Sequence, residues 1–103
     1  MPEFEWDERK NSSNLLKHGL SFEEAQLIFE GPVLTRLDQR RDYGEQRKLG
    51  IGLIREVVAV TVVHTQRGAK VRIISARLAN RQERNDYDAY LRGTAQGTRS
   101  TDR

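Results

Sequence analysis

The sequence contains no cysteine and no long apolar run. Without cysteine, a disulfide framework and thiolate chemistry are excluded, and a reducing compartment is compatible with the chain. No apolar stretch approaches the length of a membrane span, and the first residues, MPEFEWDERK, are too acidic and polar for a signal peptide. We therefore expect a cytoplasmic protein that has no membrane partner.

Several motifs that carry catalytic chemistry are also missing. The chain has no GxxxxGK[ST], no GxGxxG and no HExxH, and none of its carboxylates has metal-ligand spacing. Asp86 and Asp88 would point to different sides of a helix, which argues against a two-metal nuclease. If the protein acts on phosphates, we expect it to do so with no metal and no cofactor.

What the sequence has in excess is arginine. It carries 18 basic and 15 acidic residues for a formal net charge of +3, and arginine outnumbers lysine 14 to 4. A guanidinium group makes bidentate contacts with phosphate oxygens and stacks on bases, whereas an ammonium group does neither. The composition therefore favours a nucleic-acid or acidic partner for a domain of 103 residues.

Capping patterns and a change of period predict the fold. Asp7 can cap a first helix that ends at Gly19, and Ser21 with Glu24 has the spacing of a capping box. Residues 57–65 are almost continuously β-branched, which is typical of a central strand covered on both faces. The predicted helices are 8–18, 21–30 and 80–92, and the predicted strands are 3–6, 33–37, 46–54, 57–65 and 70–77.

The element order β-α-α-β-β-β-β-α, with short links between the later strands, predicts an α+β fold. We expect a small antiparallel β-sheet packed with helices. Glycines 50 and 52 weaken the strand 46–54, and Gly68 can take the positive φ that closes a hairpin. Residues 1–92 are predicted to form a single domain, and residues 93–103 a flexible tail that has no apolar anchor.

The stretch KVRIISARLANRQER, residues 70–84, places arginines where a strand hands over to a helix. Strict alternation would put Ser75 and Arg77 on one face and Arg72 on the other. Arg81 lies in the first turn of the helix, where free backbone N–H groups favour an anion. Arg77 and Arg81 together predict a phosphate clamp, and Arg72, Ser75 and Arg84 are candidates for binding the substrate.

Three other interpretations of these arginines stay open. The strand end can simply be solvated. Arg81 and Arg84 can be exposed helix residues that pair with the acidic side chains following them. Arg77 can be a structural ion-pair partner whose loss would leave a carboxylate unpaired.

Three further residues are candidates for the site. His64 ends the central strand, where it could lie at the rim of the sheet, and its ordinary pKa suits proton transfer near neutral pH. The alternative is a hydrogen-bonded packing histidine. Lys48 is a candidate substrate-binding cation, with simple surface solvation as the alternative. Tyr87 is a second candidate for donating a proton.

Two segments resemble the BrnT toxins. FEWDERKNSSNLLKHGLSFEEAQLIFEGP is similar to their N-terminal half, and VRIISARLANRQER to their C-terminal motif, so that the resemblance spans residues 4–91. It implies a RelE-like fold and a metal-independent endoribonuclease that inhibits translation. It also implies a BrnA-type antitoxin with a ribbon-helix-helix domain, through which the neutralised complex would reach operator DNA.

The resemblance carries site residues over only where the motif matches, which it does at Arg72, Ser75, Arg77, Arg81 and Arg84. This chain departs from the family pattern at two positions. A basic residue is common in the family at the position of Leu78, and threonine is common at the position of Asn80. A consistent mechanism is attack of the RNA 2′-OH on the adjacent phosphate. Arg77 and Arg81 would stabilise the phosphorane charge, and His64 would act as acid or base.

A second hypothesis belongs to a different functional class. The chain could be a non-catalytic module that binds nucleic acid or an antitoxin and acts as a co-repressor. In either case, the apolar run 57–65 predicts a hydrophobic patch that an antitoxin segment covers.

Overall fold

The sheet of this protein is mixed, with four antiparallel strands and one parallel edge strand. A computed structural model describes residues 2–40, 42 and 44–96 as a five-stranded sheet in the order β1-β5-β4-β3-β2 with helices on both faces. The elements are β1 Glu3–Glu5, α1 Glu8–His18, α2 Phe22–Ala25, a 3₁₀ helix Gln26–Glu30, β2 Leu34–Leu37, β3 Lys48–Ile54, β4 Val58–Arg67, β5 Lys70–Leu78 and α3 Arg81–Gln96. The α+β class predicted from the sequence is confirmed.

The helix termini follow the predicted capping residues. The Asp7 side chain accepts a hydrogen bond from the backbone N–H of Arg9 at 2.8 Å, and Gly19 ends α1 with φ 70°. Ser21 and Glu24 form a complete capping box. After the capping box, the structure has two short helices, α2 and the 3₁₀ helix, where a single helix 21–30 was predicted.

Strand pairing agrees with the prediction except at the N-terminus. Strands β2 to β5 pair as antiparallel neighbours, and Gly68 closes the β4–β5 turn with φ 61°. β1, in contrast, lies parallel to β5. The prediction of an all-antiparallel sheet is therefore wrong for β1. Because β1 and β5 are far apart in the sequence, no hairpin turn sets their relative direction.

The C-terminal helix is longer than predicted. It begins at Arg81 and continues to Gln96, so residues 93–96 of the predicted tail are helical. Residues 97–103 of that tail, and residues 41 and 43 of the loop between β2 and β3, lie outside the described residues.

The two faces of the sheet carry separate clusters of apolar side chains. On the face that α1, α2 and the 3₁₀ helix cover, here called the α1 face, Phe22 and Ile28 pack on Val60 and Val62. On the opposite face, called the α3 face, Tyr87 of α3 lies among the buried residues of the second cluster. The core therefore has one layer on each side of the sheet.

The predicted central strand is covered on both faces by the chain itself over most of its length. Residues 60–65 of β4 are buried, which confirms that part of the prediction. The start of the segment is different, because Val57 and Val58 keep 78% and 40% of their surface exposed. Within the segment 57–65, the uncovered apolar surface thus lies at the start of β4.

The two glycines of β3 lie where other side chains come close. A Cβ atom on Gly52 would lie 2.8 Å from Cβ of Ile28, and one on Gly50 would lie 3.1 Å from Nε2 of His64. The 3₁₀ helix can pack against β3 because Gly52 has no side chain. Packing thus explains the glycines that seemed only to weaken this strand.

Asn14 fixes α1 to the sheet. Its Nδ2 donates to the carbonyl oxygen of Ala76 at 2.8 Å and to that of Leu20 at 2.9 Å, while its Oδ1 accepts from the N–H of Ala76 at 3.1 Å. β1 pairs with β5 only at residues 70–72. Beyond the end of β1, the Asn14 amide makes hydrogen bonds with the outer edge of β5, at Ala76. Buried backbone groups that would otherwise lack partners are satisfied in this way.

Candidate functional site on the α3 face

A bulge in β5 brings three of the candidate residues to one face. His64 pairs with Ile73 and Val63 with Ser75, so Ile74 is an extra residue and the alternation of side chains shifts. The prediction that Arg72 lies on the face opposite to Ser75 and Arg77 is therefore wrong. The cross-strand partners of these three residues, Thr65, Val63 and Thr61, place them on the α3 face.

Arg77 forms a bidentate ion pair with the first turn of α3. Its Nη1 and Nη2 donate to Oε1 and Oε2 of Glu83 at 2.8 and 2.9 Å. Oε1 of Glu83 also accepts from the Thr61 hydroxyl and from the N–H of Asn80, both at 2.9 Å. Asn80 in turn accepts from the N–H of Glu83 at 2.8 Å, which completes the predicted helix cap.

The charges of this pair stabilise each other. Hydrogen bonding from Arg77 is the main reason that the pKa of Glu83 is lowered from 4.5 to about 2, and the same bond raises the pKa of Arg77. Glu83 is only 12% exposed and stays ionised near neutral pH, where it holds the guanidinium in one orientation. The structural ion pair considered for Arg77 is therefore present.

One edge of the Arg77 guanidinium is still available. Nη1 donates its second hydrogen to the carbonyl oxygen of Leu78 at 3.3 Å. Within the described part of the chain, Nε–H and the second hydrogen of Nη2 have no acceptor. Because the side chain is 38% exposed, this edge can make a bidentate contact with a phosphate.

Arg81 and Arg84 do not pair with the acidic residues of their own helix. Arg81 is exposed and has no ion-pair partner among residues 2–40, 42 and 44–96, whereas Nη1 of Arg84 donates to the carbonyl oxygen of Ala79 at 2.9 Å. The nearby carboxylates bind arginines from the sheet instead. Glu83 binds Arg77, and Asp86 binds Arg36 at 2.8 Å.

Most arginines elsewhere in the sheet and its loops are paired with carboxylates. Arg72 donates to Glu5 across the β1–β5 pair at 3.1 Å. The further pairs are Arg36–Asp86, Arg40–Asp38, Arg47–Glu45 and Arg67–Glu45. The pairs of Arg36, Arg67 and Arg72 could not be predicted because their partners come from distant parts of the sequence. Asp38 and Glu45, in contrast, lie two residues from their arginines, and Glu83 had a local signal in its position in the helix cap.

His64 and Lys48 lie on the opposite face of the sheet from Arg77. They form a cross-strand pair on the α1 face, where His64 is 8% exposed and its ring lies edge-on to Phe29 at 5.1 Å. Burial, followed by the nearby Lys48 charge, lowers the pKa of His64 from 6.5 to about 4. Its buried Nε2 has no hydrogen-bond partner among the described residues. The predicted position at an accessible rim is wrong, and the predicted role in proton transfer stays a prediction.

Tyr87 is part of the packing between α3 and the sheet. Its side chain is buried, and its hydroxyl donates to the carbonyl oxygen of Pro32 at 2.7 Å. Burial raises the pKa of Tyr87. The hydroxyl that was a candidate proton donor therefore already has a backbone acceptor. Ser75, in contrast, is half-buried beside Val63 on the Arg77 face.

Residues 2–40, 42 and 44–96 contain neither a metal-binding cluster nor a membrane-spanning helix. No group of three or more His, Cys, Asp or Glu side chains in these ranges is arranged to hold a metal ion. No helix in the same ranges combines the length and the apolar content that crossing a bilayer requires.

The chain is similar to a family of known proteins. Residues 6–83 match the family model described as the ribonuclease toxin BrnT of type II toxin–antitoxin systems. The fold is similar to the crystal structure of the Brucella abortus ribonuclease toxin BrnT, with a TM-score of 0.59 and 25% sequence identity over 79% of this chain and 100% of that one. No curated protein sequence matches the chain.

Proposed function

Because the chain belongs to the BrnT family of ribonuclease toxins of type II toxin–antitoxin systems, we propose that it is a cytoplasmic, metal-independent endoribonuclease that inhibits translation. An RNA substrate and an antitoxin partner follow from the family. We further propose that the antitoxin is of the BrnA type, with a ribbon-helix-helix domain through which the neutralised complex binds operator DNA.

The observation that carries the catalytic proposal is the orientation of Arg77. Glu83 holds one end of its guanidinium, while the Nε–Nη2 edge has no acceptor in the described part of the chain. Arg81 follows Arg77 closely in the sequence and is exposed in the first turn of α3, so we propose it as the second cation of the site. A fixed guanidinium stabilises developing charge better than a mobile one, because it needs no reorganisation during the reaction.

In the proposed reaction the RNA 2′-hydroxyl loses its proton to solvent and its oxygen attacks the adjacent phosphorus. The bond from phosphorus to the 5′-oxygen breaks, which leaves a 2′,3′-cyclic phosphate and a 5′-hydroxyl that takes its proton from solvent. Arg77 and Arg81 stabilise the negative charge on the phosphorane oxygens. Arg72, Ser75 and Arg84 are proposed to contact the flanking RNA. The proposal gives no role to His64, whose Nε2 is buried on the α1 face.

Cleavage of mRNA by the purified chain in the presence of EDTA tests this function. Arg81→Ala should slow cleavage at least about tenfold, since a charge-assisted contact contributes about 1.5–3 kcal/mol. It should leave the melting temperature unchanged, because Arg81 is exposed. Arg9→Ala is the matched control, since Arg9 is an exposed arginine in the first turn of α1.

Two results would contradict the proposal. Loss of cleavage on addition of EDTA would show that a metal takes part. RNA that is retained by the protein but not cleaved would favour the non-catalytic binding module instead.

A further inference from the structure

A cavity lies at the end of the sheet where β3 turns into β4. Its volume is about 480 Å³, and it opens between α3, the 3₁₀ helix and the β3–β4 turn. The lining is largely apolar and includes Leu27, Pro32, Leu53, Arg55, Tyr87 and Leu91. A cavity of this size can take one large apolar side chain from a partner.

The turn that forms one wall of the cavity has an unusual backbone. Arg55 and Glu56 have φ values of 51° and 63°, and the N–H of Val57 donates to the carbonyl oxygen of Ile54 at 3.0 Å. This is the geometry of a type I′ turn, which normally has Asn-Gly at its centre. Left-handed backbone at two residues with long side chains is unfavourable, and such strain is concentrated at ligand-binding sites.

Exposed side chains lie on the turn beside the cavity and at the start of α3. Val57 follows the turn and is 78% exposed, which is unusual for a β-branched residue next to a sheet. Arg84 lies one helical turn before Tyr87 and three residues after Arg81, and Arg55 lines the cavity. Within the described residues, none of the three arginines forms an ion pair.

The charges at the cavity indicate the chemistry of the partner. Among the described residues, ion pairs with carboxylates are formed by Arg36, Arg40, Arg47, Arg67, Arg72 and Arg77, but not by Arg55, Arg81 or Arg84. Glu30 and Glu56 at the rim carry the opposite charge. A segment that places an acidic side chain towards α3, next to an apolar one, would complement this arrangement.

We propose that this surface, formed by the cavity, residues 55–57 and Arg84 and called the turn surface below, binds an amphipathic segment of the antitoxin. One apolar side chain of that segment fills the cavity, and an acidic side chain beside it contacts Arg84 or Arg55. This inference rests on the proposed function, because it assumes the toxin–antitoxin pair.

The cavity and residues 55–57 fit a protein segment better than they fit RNA. Single-stranded bases bind by stacking on exposed aromatic rings. Tyr87, the aromatic residue in the cavity lining, is 2% exposed and cannot present its face. Val57 and the leucines of the lining offer only aliphatic contacts, which favour an apolar side chain.

The test measures the dissociation constant of the complex with the antitoxin encoded beside this chain in its operon. Val57→Glu should weaken binding at least about tenfold, because it places a charge against the apolar anchor. It should leave both the melting temperature and RNA cleavage unchanged. Leu16→Glu on α1 is the matched control, since Leu16 is 90% exposed and lies outside the turn surface.

A second measurement uses the wild-type chain. Hydrogen exchange at residues 53–57 and 84–91 should slow when the antitoxin binds, while exchange in α1 should not change. Because it uses the wild-type chain, the hydrogen-exchange measurement tests the inference even if a variant fails to fold.

Several outcomes would overturn the inference, and they differ from failure of the proposed function. An unchanged dissociation constant for Val57→Glu would overturn it, as would a loss of RNA cleavage with antitoxin binding intact, which would assign the surface to RNA. Failure of the wild-type chain to bind the neighbouring antitoxin would also overturn it. Failure of the proposed function would appear separately, as a wild-type chain that binds the antitoxin but cleaves no RNA.

Discussion

Arg77 and Glu83 share two hydrogen bonds, of 2.8 and 2.9 Å, that join the end of β5 to the first turn of α3. The carboxylate occupies one end of the guanidinium and fixes the direction of the other. The same pair therefore contributes to folding and orients the group that we propose to act on phosphate. Substitutions at either residue should separate these two effects.

Replacing Arg77 should reduce cleavage more than stability. Arg77→Ala leaves Glu83 without its main partner and should lower the free energy of unfolding by about 1–2 kcal/mol, while cleavage is lost. Arg77→Lys keeps the charge, so its melting temperature should stay near the wild-type value. Its cleavage rate should still fall at least about tenfold, because an ammonium group cannot replace a bidentate contact.

Melting temperature and cleavage rate measured on the same two variants distinguish the interpretations of Arg77. Full cleavage by Arg77→Lys would mean that a point charge is sufficient. Full cleavage by both variants would mean that Arg77 is a structural partner of Glu83 that takes no part in the reaction.

Glu83 should make the protein sensitive to strong acid. Its pKa is about 2 in the folded chain and 4.5 ordinarily, so ionised Glu83 stabilises the fold above pH 4.5. This stabilisation is lost as the pH falls from 4.5 to 2, and we expect it to amount to roughly 2 kcal/mol. The free energy of unfolding, measured with urea at several pH values in this range, should change less steeply with pH for Glu83→Gln than for the wild type. Glu3→Gln, at an exposed position, is the control, and equal slopes for all three proteins would contradict the prediction.

His64 should make the stability of the fold depend on pH in a different range. Its pKa is about 4 when folded and 6.5 ordinarily, so the neutral form favours folding and stability is lost as the pH falls from 6.5 to 4. His64→Leu should abolish this loss. At pH 7 it should also raise the free energy of unfolding by about 1 kcal/mol, because it removes a buried nitrogen that lacks a partner.

The same His64→Leu variant tests the sequence-based prediction of proton transfer. Cleavage at the wild-type rate would exclude His64 from the reaction. Loss of cleavage in a folded protein would return it to the mechanism. His18→Gln is the matched control, because His18 is exposed at the end of α1.

Asn14 should be among the most sensitive polar positions of the fold. Asn14→Ala removes the partners of the N–H and C=O groups of Ala76, which are buried. We expect the free energy of unfolding to fall by about 2–3 kcal/mol, and hydrogen exchange at the Ala76 amide to become faster. Ser13→Ala, at the exposed neighbouring position, should change stability by less than about 0.5 kcal/mol. An equally small effect of Asn14→Ala would show that water can replace its amide.

Replacement of Glu56 should relieve backbone strain. Glu56→Gly places glycine at a φ of 63° and should raise the free energy of unfolding by about 1 kcal/mol. Gly68→Ala, at a φ of 61° in the next turn, is the reverse control and should lower it by a similar amount. Thermal unfolding of the two variants measures both changes. A lower melting temperature for Glu56→Gly would show that the Glu56 side chain stabilises the turn in some other way.

Features of this fold that depend on neighbouring residues could be predicted from the sequence. The caps at Asp7, Ser21 and Asn80 and the turn at Gly68 are local, and the structure confirms each of them. The family resemblance, carried by two long segments, is confirmed by the family match over residues 6–83.

Features that depend on distant residues could not be predicted. The parallel pairing of β1 and the bulge at Ile74 are set by packing, and the bulge alone moves Arg72 to the face of Arg77. The site differs from its prediction for the same reason. Arg77 was identified from its position, but Thr61 reaches Glu83 from a different strand and has no signal in the sequence.

The parallel contact of β1 with β5 has a consequence for the order in which the domain is completed. β1 pairs with residues 70–72, and Asn14 bonds Ala76, so the first elements to be synthesised find their partners near the end of the chain. Contacts at such sequence separation slow folding, because a large loop must close before they form. The N-terminal strand and α1 can therefore dock only after β5 has been made, whereas the contact between Arg77 and Glu83 joins residues that are close in the sequence.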